Sequence, residues 1–469
     1  MAASAGVNDA QPVQAAFMLT RHGVRVPSSF NFVPFLSEEA QEAIRTKAPD
    51  SGFLAATADQ NASFAKHFRA PGGQGHLAAA SLQCQHQIGE FFADRYNVTA
   101  EEMFVYADYG VIRDNETARA FVSGVPNPNG GEVVIHANNQ FLLEEGQTGR
   151  LFPGCDRANL TEAQQSEVLG HDDVNHWARE RYAKQFALLQ RATGHDFAST
   201  RIQWIAPDGG PGGEYSTFNG SISDACKFSD FFTVEAAAGV PEDEAVWHAL
   251  GLEFGDLVPL REVCDGYFRL YKNRFNLAAF GLEFPIHLLS AIEVALKKSN
   301  RSAAPSVIHP EDSKFLTYFD HDVAVDFLRM VMRTEYNYPK WQLPYDADPY
   351  DVRIIVEVLG GEEGAPHPGD GARVRAFVFA PSLQQQHDSC GKEPISDDNV
   401  HYLDMPHCSG FDRATMTCPY TSFFYMVGAV LDRAVGRGEA ENHTCLDPAT
   451  AAWWHHRYQP GRELLSVLI

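Results

Sequence analysis

The chain has 469 residues, of which 44% are hydrophobic and 21% charged, a composition typical of folded globular proteins rather than disordered ones. Its 37 basic and 61 acidic residues give a formal net charge of −24, which argues against nucleic acid and anionic membrane surfaces as partners. No apolar stretch is long enough to span a bilayer, and no signal peptide is visible at the N-terminus.

Two features nevertheless indicate the secretory route. The cysteine count of eight is even, as expected for paired cysteines in an oxidising compartment. Six Asn-x-Ser/Thr sequons are glycosylation candidates, and they begin at Asn61, Asn97, Asn159, Asn219, Asn300 and Asn442. A seventh sequon begins at Asn115. We therefore expect a secreted or lumenal protein whose leader peptide is not present in this chain.

The first predicted element, over residues 13–20, is a buried strand that runs into Arg21-His22-Gly23-Val24-Arg25-Val26-Pro27. Open α/β sheets bind ligands at the carboxyl ends of their strands. Guanidinium groups such as those of Arg21 and Arg25 bind phosphate in a bidentate manner, and a histidine between them is a candidate nucleophile for phosphoryl transfer. The alternative is an exposed basic loop that contacts only solvent.

The next predicted elements contribute one more cation. Residues 37–96 show a helical pattern, 103–108 form a short strand, and 117–125 form a helix. Arg113 lies between this strand and this helix and is a further phosphate-binding candidate. The alternative is a surface arginine paired with the neighbouring Asp114.

The middle of the chain, from 139 to 282, is mostly helical. A glycine-proline loop at 209–213 interrupts it. No Lys-Ser/Thr pair follows this loop, so it is not a nucleotide-binding P-loop.

A second strand-to-helix junction supplies the complementary chemistry. Residues 315–319 are strand-like and are followed by His321 and Asp322 at a predicted helix N-terminus, where free N–H groups favour phosphate. The alternative for this pair is a helix cap, since aspartate is a favoured capping residue. Two later strands, 353–359 and 374–380, predict a hairpin.

Strands at both ends of the chain around a helical middle predict an α/β protein. We expect a Rossmann-like three-layer α/β/α core with an inserted, mainly helical second domain. The predicted core is discontinuous and covers 1–35, 100–138 and 283–469. The predicted helical insertion covers 36–99 and 139–282.

An Arg-His-Gly-x-Arg-x-Pro motif with a later His-Asp pair resembles the histidine acid phosphatase branch of the histidine phosphatase superfamily. The helix at 77–96 and the segment 113–124 resemble family elements in the same order. The segment from Cys408 to Cys418 resembles the cysteine pair near the family's C-terminus, so the resemblance implies a disulfide between these two residues. The other six cysteines leave many pairings open.

The resemblance also implies a mechanism. His22 would attack phosphorus and form a phosphohistidine intermediate. The non-bridging oxygens would be held by Arg21, Arg25, Arg113 and His321. Asp322 would protonate the leaving alkoxide, and water would then hydrolyse the phosphohistidine. No cofactor or metal is implied, because the arginines supply the positive charge, and the partner is a small-molecule phosphate monoester.

Substrate choice depends on the charge around this site. Phytase-like relatives often carry a lysine shortly after the motif proline, whereas residues 28–32 contain no cation and two aromatics. We therefore expect a secreted acid phosphatase acting on less charged monoesters, with a phytase or other inositol-polyphosphate phosphatase as the alternative. Lys47, Lys66 and Arg69 are candidates for additional charge over the cleft. More remote alternatives are a catalytically inactive phosphate-binding protein and a mutase-type transferase.

Overall fold

The computed structural model describes most of the chain. It covers residues 12–70, 72–108, 111–138, 160–205, 217–270, 272–277, 282–296, 312–334, 349–360, 371–439 and 448–465, together with 304, 307, 309, 310 and 446. Its strands, in chain order, are β1 (Val13–Arg21), β2 (Met103–Asp108), β3 (Ile135–Asn138), β4 (Gln203–Ile205), β5 (Thr217–Asn219), β6 (Phe315–Asp320), β7 (Arg353–Leu359), β8 (Arg373–Phe379), β9 (Val400–Tyr402) and β10 (Thr417–Pro419).

The helices surround these strands. In chain order they are α1 (Glu38–Lys47), α2 (Thr57–His67), α3 (Ala79–Tyr96), α4 (Ile112–Ser123), α5 (Glu162–Leu169), α6 (Val174–Arg181), α7 (Ala183–Thr193), α8 (Ser221–Ala237), α9 (Val246–Ala249), α10 (Phe254–Arg269), α11 (Glu283–Ala295), α12 (Asp322–Met332), α13 (Leu383–His387), α14 (Tyr420–Glu439) and α15 (Pro448–Leu465).

A mixed sheet of eight strands forms the centre of the molecule, in the order β10-β8-β7-β1-β6-β2-β3, with β9 beside β8. The strands β1, β6, β2 and β3 are parallel, so their carboxyl ends lie at one edge. β7 and β8 form an antiparallel hairpin, which confirms the predicted pairing of these two strands. Its turn, at 361–370, lies outside the described residues, as does the loop at 209–213.

Both faces of the sheet are covered by helices. Along β1, Phe17 and Leu19 pack into one apolar cluster, whereas Met18 packs into another on the opposite face. The first cluster includes side chains of α11, α12 and α14, and the second includes side chains of α3 and α4. A strand that is buried on both faces is typical of a doubly covered sheet. The predicted three-layer α/β/α core with a helical domain is therefore confirmed.

The helix α3 lies on the sheet rather than with the helical insertion. Its Ile88 and Phe92 pack against Phe315 of β6 and Phe377 of β8. The predicted boundary at 99 assigned this helix to the insertion. A helical pattern in the sequence shows that a segment has an apolar face, but it does not show which part of the protein packs against that face. For this reason the sequence did not reveal that α3 packs on the sheet. The remaining domain boundaries stay a prediction.

The helix α4 begins five residues earlier than predicted, at Ile112 instead of Thr117. Arg113 therefore lies in the first helical turn and not in the preceding loop. Asp114 lies in the same turn, where a carboxylate stabilises the positive end of the helix dipole.

Three disulfides join the described cysteines: Cys84 to Cys390, Cys226 to Cys264, and Cys408 to Cys418. The last is the pair implied by the family resemblance, with its Cα atoms 6.2 Å apart. Cys155 and Cys445 lie outside the described residues. Among the described helices, none combines the length and the apolar character needed to cross a membrane.

Of the six glycosylation candidates, Asn61, Asn97 and Asn219 are exposed. The other three fall outside the described residues: Asn159, Asn300 and Asn442. Glycosylation requires an exposed asparagine, and these three meet that requirement. Their glycosylation itself stays a prediction.

Candidate active site

The two motifs found in the sequence meet at the carboxyl edge of the sheet. Arg21, the last residue of β1, is in register with Asp320, the last residue of β6. The backbone N–H of His22 donates to the carbonyl oxygen of Asp320 at 2.8 Å. The ring centroids of His22 and His321 are 5.3 Å apart. Parallel pairing thus brings together side chains that are separated by 299 positions in the sequence.

The motif loop is anchored to the two helices beneath it. Gly23 donates its N–H to the Thr117 hydroxyl at 3.0 Å, and Val24 donates its N–H to the Ser81 hydroxyl at 2.9 Å. A Cβ atom at position 23 would lie 2.3 Å from the Ser81 oxygen, so only glycine fits here without a shift. The loop is buried, which excludes the alternative of a basic loop that contacts only solvent.

The side chain of His22 is held as a neutral imidazole. It is 3% exposed, and its Nδ1 lies 2.7 Å from the carbonyl oxygen of Gly23, which can only accept a hydrogen bond. Nδ1 therefore carries the proton, and Nε2 keeps its lone pair. Burial, followed by the charge of Arg113, lowers the pKa of His22 well below its usual value. The nucleophile candidate thus remains unprotonated in mildly acidic solution.

A buried network balances the two arginines of the motif. The Arg21 guanidinium lies over the Tyr350 ring, 4.6 Å from its centroid. The Asp230 carboxylate accepts from Arg261 at 2.5 Å and also from the Tyr350 hydroxyl. Burial raises the pKa of Asp230, but the charges of Arg261 and Arg25 lower it by a larger amount. The net pKa is below the usual value, so the carboxylate is ionised. This negative charge reduces the repulsion among the clustered guanidinium groups.

Sequence analysis missed this network because its members are scattered over three distant segments. Asp230 lies in α8, Arg261 in α10 and Tyr350 before β7. None of them belongs to a short motif. No signal in the sequence points to the three positions together.

Arg113 and His321 are in direct contact. The guanidinium of Arg113 donates to Nε2 of His321, and Nδ1 of His321 donates to the Asp320 carboxylate at 3.0 Å. The structure thus directs Arg113 toward the second motif. Asn115, whose sequon begins two residues later, is half-buried on the same helix.

Buried carboxylates surround His321, and this raises the question of a metal ion. Asp108, Asp114 and Asp320 lie close enough to His321 to form a potential coordination group within the described residues. However, both ring nitrogens of His321 are already engaged by protein partners, and Arg113 provides positive charge at this position. We assign the carboxylates the role of orienting His321 and neutralising the arginine, in line with their chemistry.

Asp322 is the first residue of α12 and is not its N-cap, which is His321. Its Oδ2 accepts a hydrogen bond from Nζ of Lys272 at 2.6 Å. Burial raises the pKa of Asp322, but the charges of Lys272 and Arg21 lower it by a larger amount. The net pKa therefore lies well below the usual range. Asp322 is therefore a carboxylate in this structure. Sequence analysis missed Lys272 because it follows α10 with no motif around it.

The segment after the motif proline contributes to an aromatic cluster instead of lining an open site. Phe32 is 2% exposed and stacks on Phe53 with centroids 4.1 Å apart, and its edge also contacts Phe228. Phe30 lies under Lys227, whose Nζ is 4.4 Å from the ring centroid. The helix α8 thus brings a cation to a segment that has none of its own.

The three additional cations expected over the cleft are exposed in the structure: Lys47, Lys66 and Arg69. Nζ of Lys66 lies 4.0 Å from the Asp50 carboxylate. Whether any of the three reaches a bound substrate remains a prediction.

The fold is shared with solved phytases. Hafnia alvei phytase superposes with a TM-score of 0.66 over 93% of this chain and 98% of that chain, at 18% sequence identity. Citrobacter braakii phytase gives a TM-score of 0.66 over 89% of this chain and 98% of that chain, at 14% identity. A Klebsiella phytase gives 0.62 over 90% of this chain and 97% of that chain, at 16% identity.

These similarities lie in the fold, since no family model and no curated protein matches the sequence. At the level of the fold, the resemblance to the histidine acid phosphatases that the motifs indicated is confirmed.

Proposed function

We propose that this protein, which has the histidine acid phosphatase fold, hydrolyses phosphate monoesters through a phosphohistidine at His22, and that inositol polyphosphates are its substrate class. The observation that carries the proposal is the state of His22, a buried neutral imidazole among Arg21, Arg25 and Arg113. A neutral imidazole is a nucleophile, and three guanidinium groups are a binding site for a phosphoryl group.

In the first step, Nε2 of His22 attacks phosphorus, and the bond between phosphorus and the ester oxygen breaks. The arginines stabilise the charge on the non-bridging oxygens. His321, held by Asp320, belongs to the same site. Asp322 takes up a proton from solvent as the ester binds and gives this proton to the leaving oxygen. Because a bound phosphate is anionic, its charge raises the pKa of Asp322 and so opposes the effect of Lys272.

In the second step, water attacks the phosphohistidine. Asp322, now a carboxylate, accepts the proton of the attacking water. Inorganic phosphate leaves, and His22 returns to its neutral form.

Two observations support inositol polyphosphates over less charged esters. Solved structures that share this fold include phytases, and the Hafnia alvei phytase has been solved in complex with myo-inositol hexakis sulphate. The expectation of less charged esters rested on residues 28–32, which contain no cation and two aromatics. One of these aromatics, Phe32, is buried against other phenylalanines and does not line an open site. Lys227, whose Nζ lies 4.4 Å from the centroid of the Phe30 ring, supplies a cation beside this segment.

The compartment is part of the same proposal. Three disulfides among the described cysteines fit an oxidising environment, as does the acidic net charge. A nucleophile that stays neutral in acid fits a working range on the acid side of neutrality.

The test is an assay of phosphate release from 4-nitrophenyl phosphate and from myo-inositol hexakisphosphate across about pH 3 to 8. We expect the wild type to hydrolyse both, with kcat/KM higher for the inositol ester. The His22→Ala variant should lose at least roughly a thousandfold in kcat on either ester. Inactivity of the wild type on both esters would contradict the phosphatase proposal. A higher kcat/KM for the aryl ester would favour a general acid phosphatase.

A further inference from the structure

Lys272 occupies a position that the reaction scheme does not yet use. Its side chain is 2% exposed and lies between two carboxylates, with Nζ 2.6 Å from Asp322 Oδ2 and 2.7 Å from Asp326 Oδ2. The two aspartates are one helical turn apart on α12 and therefore share a face. Nζ also lies 4.0 Å from the centroid of the Phe268 ring. An ammonium group is thus enclosed beside the proposed proton donor.

Within the part of the chain that the structure describes, further positive charges act on Asp322 from outside its own helix. Arg21 ends β1, His321 precedes α12, and Arg261 lies on α10; all of them favour the ionised carboxylate. Burial acts in the opposite direction. Lys272 is the cation that directly contacts the Asp322 carboxylate through a hydrogen bond.

Asp326 gives the ammonium a second anchor. It also accepts from Arg329 at 3.0 Å, so it keeps a partner when Lys272 moves. Lys272 and Asp326 line a cavity of about 330 Å³ together with Asp265, Phe268 and Arg329. Nζ contacts both carboxylates in the same position, so Asp326 still holds the ammonium when Asp322 loses its charge.

We propose that Lys272 is a positioning residue that controls when Asp322 can give a proton to the leaving group. While Lys272 contacts Asp322, the carboxylate is ionised and cannot act as an acid. When a phosphate ester binds, its charge favours the protonated carboxyl, and Lys272 is retained by Asp326. This inference rests on the proposed phosphatase activity.

The inference predicts a difference between two kinds of ester. A 4-nitrophenolate ion leaves without a proton, because the ion itself is a weak base, whereas a strongly basic alkoxide must be protonated as it leaves. Control of proton donation therefore affects alkyl esters alone. A change in phosphate binding or in folding would affect both kinds of ester alike.

The test compares the pH dependence of kcat/KM for glycerol 2-phosphate and 4-nitrophenyl phosphate. The alkaline limb of each profile is the pH range in which kcat/KM falls as the pH rises. In Lys272→Met, we expect this limb for the glycerol ester to move to higher pH by at least about one unit. Above neutrality, kcat/KM for the glycerol ester then rises about tenfold relative to that for the aryl ester. The limb for the aryl ester should stay in place. Lys272→Arg, which keeps the charge, should restore the wild-type profile.

For a second variant, we expect the alkaline limb for the glycerol ester to move in the opposite direction. Asp326→Asn leaves Lys272 with Asp322 as its anionic partner, so the limb for the glycerol ester should move to lower pH. Lys314→Met is the matched control, because Lys314 is exposed, pairs with Glu102 and precedes β6 at the opposite edge of the sheet. It should leave both profiles unchanged.

The outcomes separate this inference from the function on which it rests. Wild-type protein that hydrolyses neither of these two esters nor myo-inositol hexakisphosphate contradicts the proposed function itself. Active wild type with Lys272→Met limbs that stay in place, or that move together for both esters, overturns the role of Lys272 alone. If Lys272→Met does not fold, as judged by thermal unfolding, an unmoved glycerol limb in Asp326→Asn overturns it instead.

Discussion

A buried carboxylate directly beneath the motif loop illustrates how strongly single residues respond to burial. Asp351 is fully buried, adopts a positive φ of 63°, and accepts hydrogen bonds from Gln85 and Gln386. A Cβ at Gly23 would lie 3.2 Å from its Oδ1. Burial raises the pKa of Asp351 to about 6, although Arg353 acts to lower it. The protonated form is therefore the stable one on the acid side of this value.

The raised pKa of Asp351 makes the free energy of unfolding depend on pH. Its folded pKa of about 6 lies above its ordinary value of 3.8, so its stabilising contribution is complete below the lower value and is lost as the pH rises through the higher one. Asp351→Asn removes this titration and tolerates the positive φ. Urea unfolding from pH 4 to 7 should show the variant gaining roughly 3 kcal/mol relative to the wild type. A constant difference across this range would contradict the assignment.

At the residue scale, the sequence motifs identified the groups that carry chemistry but not those that tune them. His22 and Asp322 lie next to arginine and histidine in short, specific patterns. Lys272, which follows α10, contacts Asp322, and Asp230 of α8 faces the charges of Arg21 and Arg25, only because the folded chain brings these segments together. Such contacts depend on the tertiary structure, and no local pattern reports them.

At the scale of elements, the crossing of α3 and α4 holds the floor of the site. The Ser81 hydroxyl of α3 and the Thr117 hydroxyl of α4 both bond the motif loop. The two helices approach closely through glycines: a Cβ at Gly89 would lie 2.0 Å from the Phe121 carbonyl oxygen. Backbone atoms cannot move aside as a flexible side chain can. The relative position of the two hydroxyl groups therefore depends on this contact.

Gly89→Ala should consequently destabilise the protein by about 1 to 3 kcal/mol through overpacking. Gly255→Ala is the matched control, because Gly255 lies in α10 and a Cβ there meets nothing within 4 Å. Alanine should stabilise that helix by about 0.5 to 1 kcal/mol. Chemical denaturation of both variants measures the two effects. Equal stability of Gly89→Ala and the wild type would contradict the close crossing.

Strands and hairpins were more predictable than helix placement. The limits predicted for β2 and β7 agree with the structure, because each is a short run of buried or β-branched residues bounded by polar turns. The predicted start of α4 was too late, and the helical pattern did not show that α3 packs on the sheet. Helical periodicity indicates that a face is buried, but the partner of that face is decided by packing.

At the scale of the whole molecule, the structure reconciles the acidic net charge of the chain with the anionic substrate that we propose. The net charge is −24, yet several cations converge on one edge of the sheet: Arg21, Arg25, Arg113, Arg261 and Lys272. A first set of these cations, Arg21, Arg25 and Arg113, lies at or just beyond the carboxyl ends of β1 and β2. A second set comes from the helical middle of the chain, with Arg261 in α10 and Lys272 just after it. The fold class followed from strands at both ends of the chain, whereas this second set of cations required the three-dimensional structure.

The central claim is that His22 becomes phosphorylated during turnover. The most direct measurement is to mix the enzyme with excess substrate, quench it in denaturant at alkaline pH, where phosphohistidine survives, and locate the phosphoryl group by mass spectrometry of peptides. We predict one phosphoryl group on the peptide that contains His22, and none in the His22→Ala variant. A phosphoryl group on another residue, or full turnover by His22→Ala, would contradict the account.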